Sequence, residues 1–167
     1  MSTERELYEP IRIALVEEFK KRFDSCKIYK THNKLDDRVK KELRDEELFF
    51  IRGEKLFPDL MGFAEKKIKD IDDAGLGYTI IAEVKNEKIK IRGIYQAKMY
   101  SEFFGADFCF LISSEPISEE MKRIIKLKPS ITSCQAGYKT IILAQFDEKT
   151  KEILTDKELY PRDVYEV

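Results

Sequence analysis

Tyr78-Thr79-Ile80-Ile81-Ala82-Glu83-Val84-Lys85 is the stretch that decides the fold of this chain. Its first five residues are mostly β-branched, aromatic or aliphatic and give the strongest strand signal in the sequence. Two charged residues follow at a spacing of two. On a strand, positions i and i+2 point to the same face, so Glu83 and Lys85 project together about 6.6 Å apart. The same acid-x-lysine spacing recurs at Glu18/Lys20, Glu65/Lys67 and Glu120/Lys122. Glu18 and Glu120 fall in helical patterns, where i and i+2 point about 200° apart and cannot share a site.

Upstream, Asp70-Ile71-Asp72-Asp73-Ala74-Gly75-Leu76-Gly77 is turn chemistry, and Phe57-Pro58-Asp59-Leu60-Met61-Gly62-Phe63 reads as a strand that begins with a proline. The two strands should form a hairpin. Facing side chains of an antiparallel pair stand about 5 Å apart, which brings Asp59 close to Glu83 within a few residues of register. Glu65 is the rival acid, but it lies about 20 Å along a straight strand from Asp59, too far to share an ion.

Downstream, Ile91, Ile94, Tyr95, Met99 and Phe103 recur on one face of a helix expected over 91–104 and stopped by Gly105. A buried strand over 107–112 completes a β-α-β crossover. Ser118, Glu119 and Glu120 open a further helix to about Leu127, 129–137 is loop, and 139–146 is strand, with Tyr138 and Phe146 assigned to the core. A short terminal helix is expected from Thr155. At the amino end, Thr3-Glu4-Arg5-Glu6 has the capping-box pattern, and Leu7, Ile11, Leu15 and Phe19 predict a helix to about Phe23, with Pro10 inside it. A short strand over 27–31 and a charged helix from about Lys34 to Leu48 precede the hairpin. Hairpin and crossover connections together predict one α/β domain over 1–167, a central mixed β-sheet flanked by helices.

Composition narrows the class. Thirty-one Lys and Arg against 32 Asp and Glu give a net charge of -1, so any polyanion site must be local. With 43% hydrophobic residues, 7 Gly and 5 Pro among 167, the chain is neither collagen-like, low-complexity nor a disulfide scaffold. Cys26, Cys109 and Cys134 form no CxxC pair and are read as buried thiols. No apolar run approaches the roughly 20 residues that span a membrane, and the amino-terminal residues lack a secretory core, so a cytoplasmic protein without membrane association is expected. His32, the single histidine, is read as a loop residue rather than a metal ligand.

Pro58-Asp59 and Glu83-Val84-Lys85 resemble the PD-(D/E)xK nuclease family, which includes restriction enzymes, archaeal Holliday-junction resolvases and the nuclease domains of recombination helicases. Gln96 and Tyr100 resemble the Gln-x-x-x-Tyr motif of many members, and the resemblance covers roughly Thr3 to Ser113. It implies a restriction endonuclease-like core, α-β-β-β-α-β. The implied activity is Mg²⁺-dependent hydrolysis of phosphodiester bonds, with Mn²⁺ as substitute, in DNA undergoing repair, recombination or restriction. Asp59, Glu83 and the carbonyl of Val84 would hold the metal. Lys85, its pKa pushed down beside the ion, would orient or deprotonate water, and Gln96 would position water or phosphate. An acid of the first helix, Glu4 or else Glu9, would join the site. Lys88, Lys90, Arg92, Lys98 and Tyr100 are the candidate contacts to the nucleic-acid backbone. The alternative is a catalytically inactive module of the same fold that binds nucleic acid or a protein partner. For the residues themselves, the plain alternative is an ion pair on a surface hairpin. Substrate structure, homodimer formation and membership of a larger complex stay open.

Overall fold

Three parallel strands buried on both faces organise a computed structural model that describes residues 2–54, 56–67, 75–157 and 159. The strands are β1 (Ser25–Lys30), β2 (Leu60–Lys67), β3 (Gly75–Lys85), β4 (Phe108–Ser113), β5 (Ser133–Cys134), β6 (Lys139–Asp147) and β7 (Glu152–Thr155). They form a sheet in the order β1-β2-β3-β4-β6-β5, with β7 also on β6. The β3, β4 and β6 strands run parallel, and the other pairings are antiparallel. Helices α1 (Glu4–Lys20), α2 (Asp37–Lys40), α3 (Asp45–Glu54), α4 (Ile91–Phe104) and α5 (Glu119–Leu127) flank it. The architecture is α/β, an open mixed sheet between helices, as the sequence predicts.

Period-two alternation splits the core. Ile80, Ala82, Phe108, Phe110 and Ile112 face α1, which contributes Leu7, Ile11, Leu15 and Phe19. Ile81, Cys109 and Leu111 face the other way, against Ile94, Ala97 and Phe104 of α4 and Met121 of α5. Helix α1 runs through Pro10, and the Thr3 N–H donates to Glu6 Oε2 at 2.6 Å, as the capping box requires. Helix α4 ends at Gly105, whose φ of 54° lies in the left-handed region, where glycine carries no Cβ penalty. All three cysteines are free and buried. Among the described residues no helix is long and apolar enough to cross a membrane.

Four expectations are corrected. The charged helix expected over 34–48 is two helices: Asp36 caps α2 through the Arg38 N–H, and Glu47 reaches back to the Arg44 N–H at 2.8 Å to start α3. Strand β2 begins only at Leu60 and runs to Lys67, because polar Glu65, Lys66 and Lys67 pair with 75–77. Strand β7 replaces the beginning of the terminal helix expected from Thr155, the rest of which falls mostly outside the described residues. Tyr138 is 88% exposed rather than core, since it closes the tight turn Gln135–Gly137 in helical conformation ahead of β6, whereas Phe146 inside β6 is fully buried. Of the turn expected over 70–77, residues 70–74 lie outside the described residues and 75–77 belong to β3.

Candidate functional site

Register brings the acids together. Leu60 is paired with Ala82, so Asp59, one residue before β2, comes level with Glu83 at the carboxyl end of β3. Ligand sites of open α/β sheets gather outside such strand ends. Pro58 has no N–H to donate, and its carbonyl accepts from Thr31 Oγ1 at 2.5 Å, while the Thr31 N–H donates to the Asp59 carbonyl at 2.9 Å. The Val84 N–H donates to Asp59 Oδ2 at 2.8 Å, tying the acid to β3. Lys85 Nζ donates to Glu83 Oε1 at 2.8 Å. This is an ion pair, but not the surface pair of the plain alternative: Glu83 is only 2% exposed and Asp59 7%.

Two carboxylates sunk side by side raise each other's cost of ionisation. Burial, then the charge of Asp59, pushes Glu83 up to about 7 against the pull of Lys85. Burial also raises Asp59, opposed by the Val84 N–H and by Tyr8. Burial works against the Lys85 charge, but Glu83, Glu4 and Asp59 outweigh it and the lysine is held cationic. Without a cation beside it, Lys85 is thus shifted in the direction opposite to that expected of a base.

The first turn of α1 completes the cluster. Glu4 accepts from Tyr8 Oη at 3.2 Å, and its charge acts on Asp59, Glu83 and Lys85. Glu9, the other candidate, is held by Arg12 at 2.6 Å and Lys30 at 3.1 Å, which bring its carboxyl down to about 2. Of the two acids, Glu4 is the one at the site. Tyr8 was not singled out by the sequence, although it is one helical turn beyond Glu4 on the same face. Its hydroxyl bonds Asp59 as well as Glu4, and burial followed by these two acids raises its pKa. Its ring lies 4.6 Å from that of His32, whose buried Nδ1 has no hydrogen-bond partner.

From α4, Tyr100 donates to the Phe57 carbonyl at 2.9 Å, and Gln96 hydrogen-bonds the same hydroxyl. Burial and then Glu83 raise the Tyr100 pKa, so the Gln96-Tyr100 pair does border the acids. Lys88 and Arg92 are exposed near the start of α4, and Lys90 is paired with Glu87. Lys98 is not brought to the site: it lies about 200° round the helix from Gln96, and its charge acts on Cys134.

The donor set suits a hard divalent cation. Its two acids offer only oxygen, and Glu83 Oε2 is buried without a hydrogen-bond partner. Among the described residues no three His, Cys, Asp or Glu side chains group as metal ligands. Mg²⁺ needs no such group, since it keeps several waters and is held by one or two carboxylates. Comparison with protein-family models, curated proteins and solved structures returned no match.

Proposed function

We infer that this chain is a divalent-metal-dependent nuclease that hydrolyses phosphodiester bonds in DNA on a restriction endonuclease-like core. One observation carries the reading: the buried Asp59-Glu83 pair beside Lys85, with Glu83 Oε2 lacking any partner. A buried acid left in this state is costly unless a cation compensates it. Asp59, Glu83 and the carbonyl of Val84 would hold Mg²⁺, or Mn²⁺ in its place. Bound there, the cation would supply an acidified water and neutralise charge on the phosphate. Lys85, kept cationic by three acids, stabilises negative charge building on the phosphate rather than serving as base. Gln96, fixed on the Tyr100 hydroxyl, orients water or a phosphate oxygen. Tyr8 ties Glu4 to Asp59 and keeps both acids at the site.

A module that binds nucleic acid without cutting it is the second reading. It is favoured by the Lys85-Glu83 ion pair, which occupies an oxygen that a cation would need. The deciding experiment is cleavage of labelled duplex, four-way junction, flap and single-stranded DNA with Mg²⁺, Mn²⁺ or EDTA, using wild type, Asp59→Ala and Lys85→Ala. Metal-dependent cutting lost in both variants supports the nuclease. Binding by wild type without cutting in any metal supports the module.

A further inference from the structure

A cavity of about 290 Å³ opens between the segment after β1, helices α2 and α3, and the segment before β2. Its apolar wall is Leu35, Leu48, Ile51 and Phe57. Its rim carries Lys34, Lys40 and Arg52, and among the described residues no acidic side chain lines it. The segments after β1 and before β2 are anchored at the site. Thr31, two residues before Asn33, donates to the Asp59 carbonyl, and Phe57, two residues before Asp59, is held through its own carbonyl by Tyr100. The cavity therefore starts within about 7 Å of chain from Asp59 on the β2 side.

Size and chemistry restrict the occupant. The volume is just under the roughly 300–1,000 Å³ of drug-sized ligand sites, suiting one planar ring system rather than a folded peptide element. Phe57 offers an aromatic surface for stacking, and Asn33 at the rim offers both donors and an acceptor to a ring edge. Lys40 is partly neutralised by Asp37 at 2.7 Å, and Lys34 and Arg52 supply the rest of the positive rim. An apolar slot edged by cations matches a base attached to a phosphate backbone.

We propose that this cavity receives an unstacked nucleobase of the substrate strand, next to the bond to be cut. The position of that bond rests on the nuclease reading; the binding of the base does not. A substrate with an unpaired nucleotide at the cleavage position then binds without the cost of extruding a base from a duplex.

The chain contains no tryptophan, so Phe57→Trp places a single indole reporter in the wall while preserving the stacking surface. In EDTA, where cutting is blocked, this variant is titrated with single-stranded oligothymidylate, the same strand carrying abasic sugars, and thymidine monophosphate. Oligothymidylate should quench the indole. The abasic strand should bind about tenfold more weakly by anisotropy, and Phe57→Ala should lose a similar factor for the normal strand. Arg52→Ala, at an exposed position that cannot disturb the core, should lower the salt dependence by about one counterion. Urea midpoints equal to wild type establish that the variants are folded. Equal affinity for normal and abasic strands, or strand binding without quenching, overturns the proposal. Mononucleotide binding as tight as the strand overturns it too, making a free nucleotide the occupant. Failure of the nuclease reading is separate: base-dependent binding with no cutting in Mg²⁺ keeps the cavity assignment, and cutting without base dependence removes it.

Discussion

Between pH 5 and pH 8 the metal-free protein should lose about 2.5 kcal/mol of stability through one side chain, Glu83. Its folded-state pKa is displaced upward, from 4.5 to about 7, by burial and by Asp59. The native state therefore keeps its proton where the unfolded chain has released it. Stability from this group is fully present below the unfolded value and is lost as pH rises through the folded one. At about 1.4 kcal/mol per pH unit the whole displacement is worth about 3.4 kcal/mol, of which about three quarters falls between pH 5 and pH 8. Glu83 is 2% exposed, so solvent screening removes little of it. The assay is urea unfolding in EDTA at the two pH values, wild type against Glu83→Gln, which fixes the neutral state. With an m-value of about 2 kcal/mol/M, the wild-type midpoint should fall by about 1 M more than that of the variant. Mg²⁺ should recover stability at pH 8 in wild type and not in Glu83→Gln. Parallel midpoints across pH would refute the assignment of this cost to Glu83.

Further predictions concern the scaffold and the acid cluster. Gly62→Ala places a Cβ 2.5 Å from Ile28 Cγ1 and 2.6 Å from the Lys27 carbonyl oxygen, and backbone cannot yield as a flexible side chain does. A loss of about 3 kcal/mol, near 10 °C in Tm by calorimetry, is expected; an unchanged Tm would contradict the β1-β2 contact. Phe19→Ala removes a fully buried ring whose centroid lies 5.0 Å from that of Phe108, and should cost about 3–5 kcal/mol in urea unfolding. Tyr8→Phe deletes the hydroxyl shared by Glu4 and Asp59, so the Mg²⁺ concentration for half-maximal cleavage should rise about tenfold while the rate at saturating metal changes less. Because Tyr8 lowers the Asp59 pKa, the same variant should need a higher pH for full activity.

The crossover from β3 through α4 to β4 was legible because each of its parts carries its own signal. Ile80 and Ile81 mark a strand buried on both faces, the apolar period of 91–104 marks the helix, and Gly105 marks its end. The placement of Asp59 beside Glu83 followed from hairpin pairing alone. What was hidden depends on contacts between distant residues. The break before α3 rests on Glu47 reaching the Arg44 N–H, inside a run of charges that looks uniformly helical. Strand β7 follows a turn without glycine, in which Asp147 Oδ1 accepts from the Lys149 N–H and Lys151 adopts φ 62°. Tyr8 belongs to no motif; its importance appears only when α1 is laid against β3. Lys98 is near Lys88, Lys90 and Arg92 in sequence, but the helix turns it towards Cys134 instead.

The hydrogen bonds that close the acid cluster join parts of the chain made at very different times. The Tyr8 hydroxyl reaches Asp59 across 51 residues, and the Val84 N–H donates to Asp59 across 25. Contacts of such separation bear a large loop-closure entropy and form only when most of the sheet has assembled. A cation that requires the finished cluster binds the native chain and ignores its precursors. Metal added during refolding should therefore slow unfolding and leave the folding rate almost unchanged.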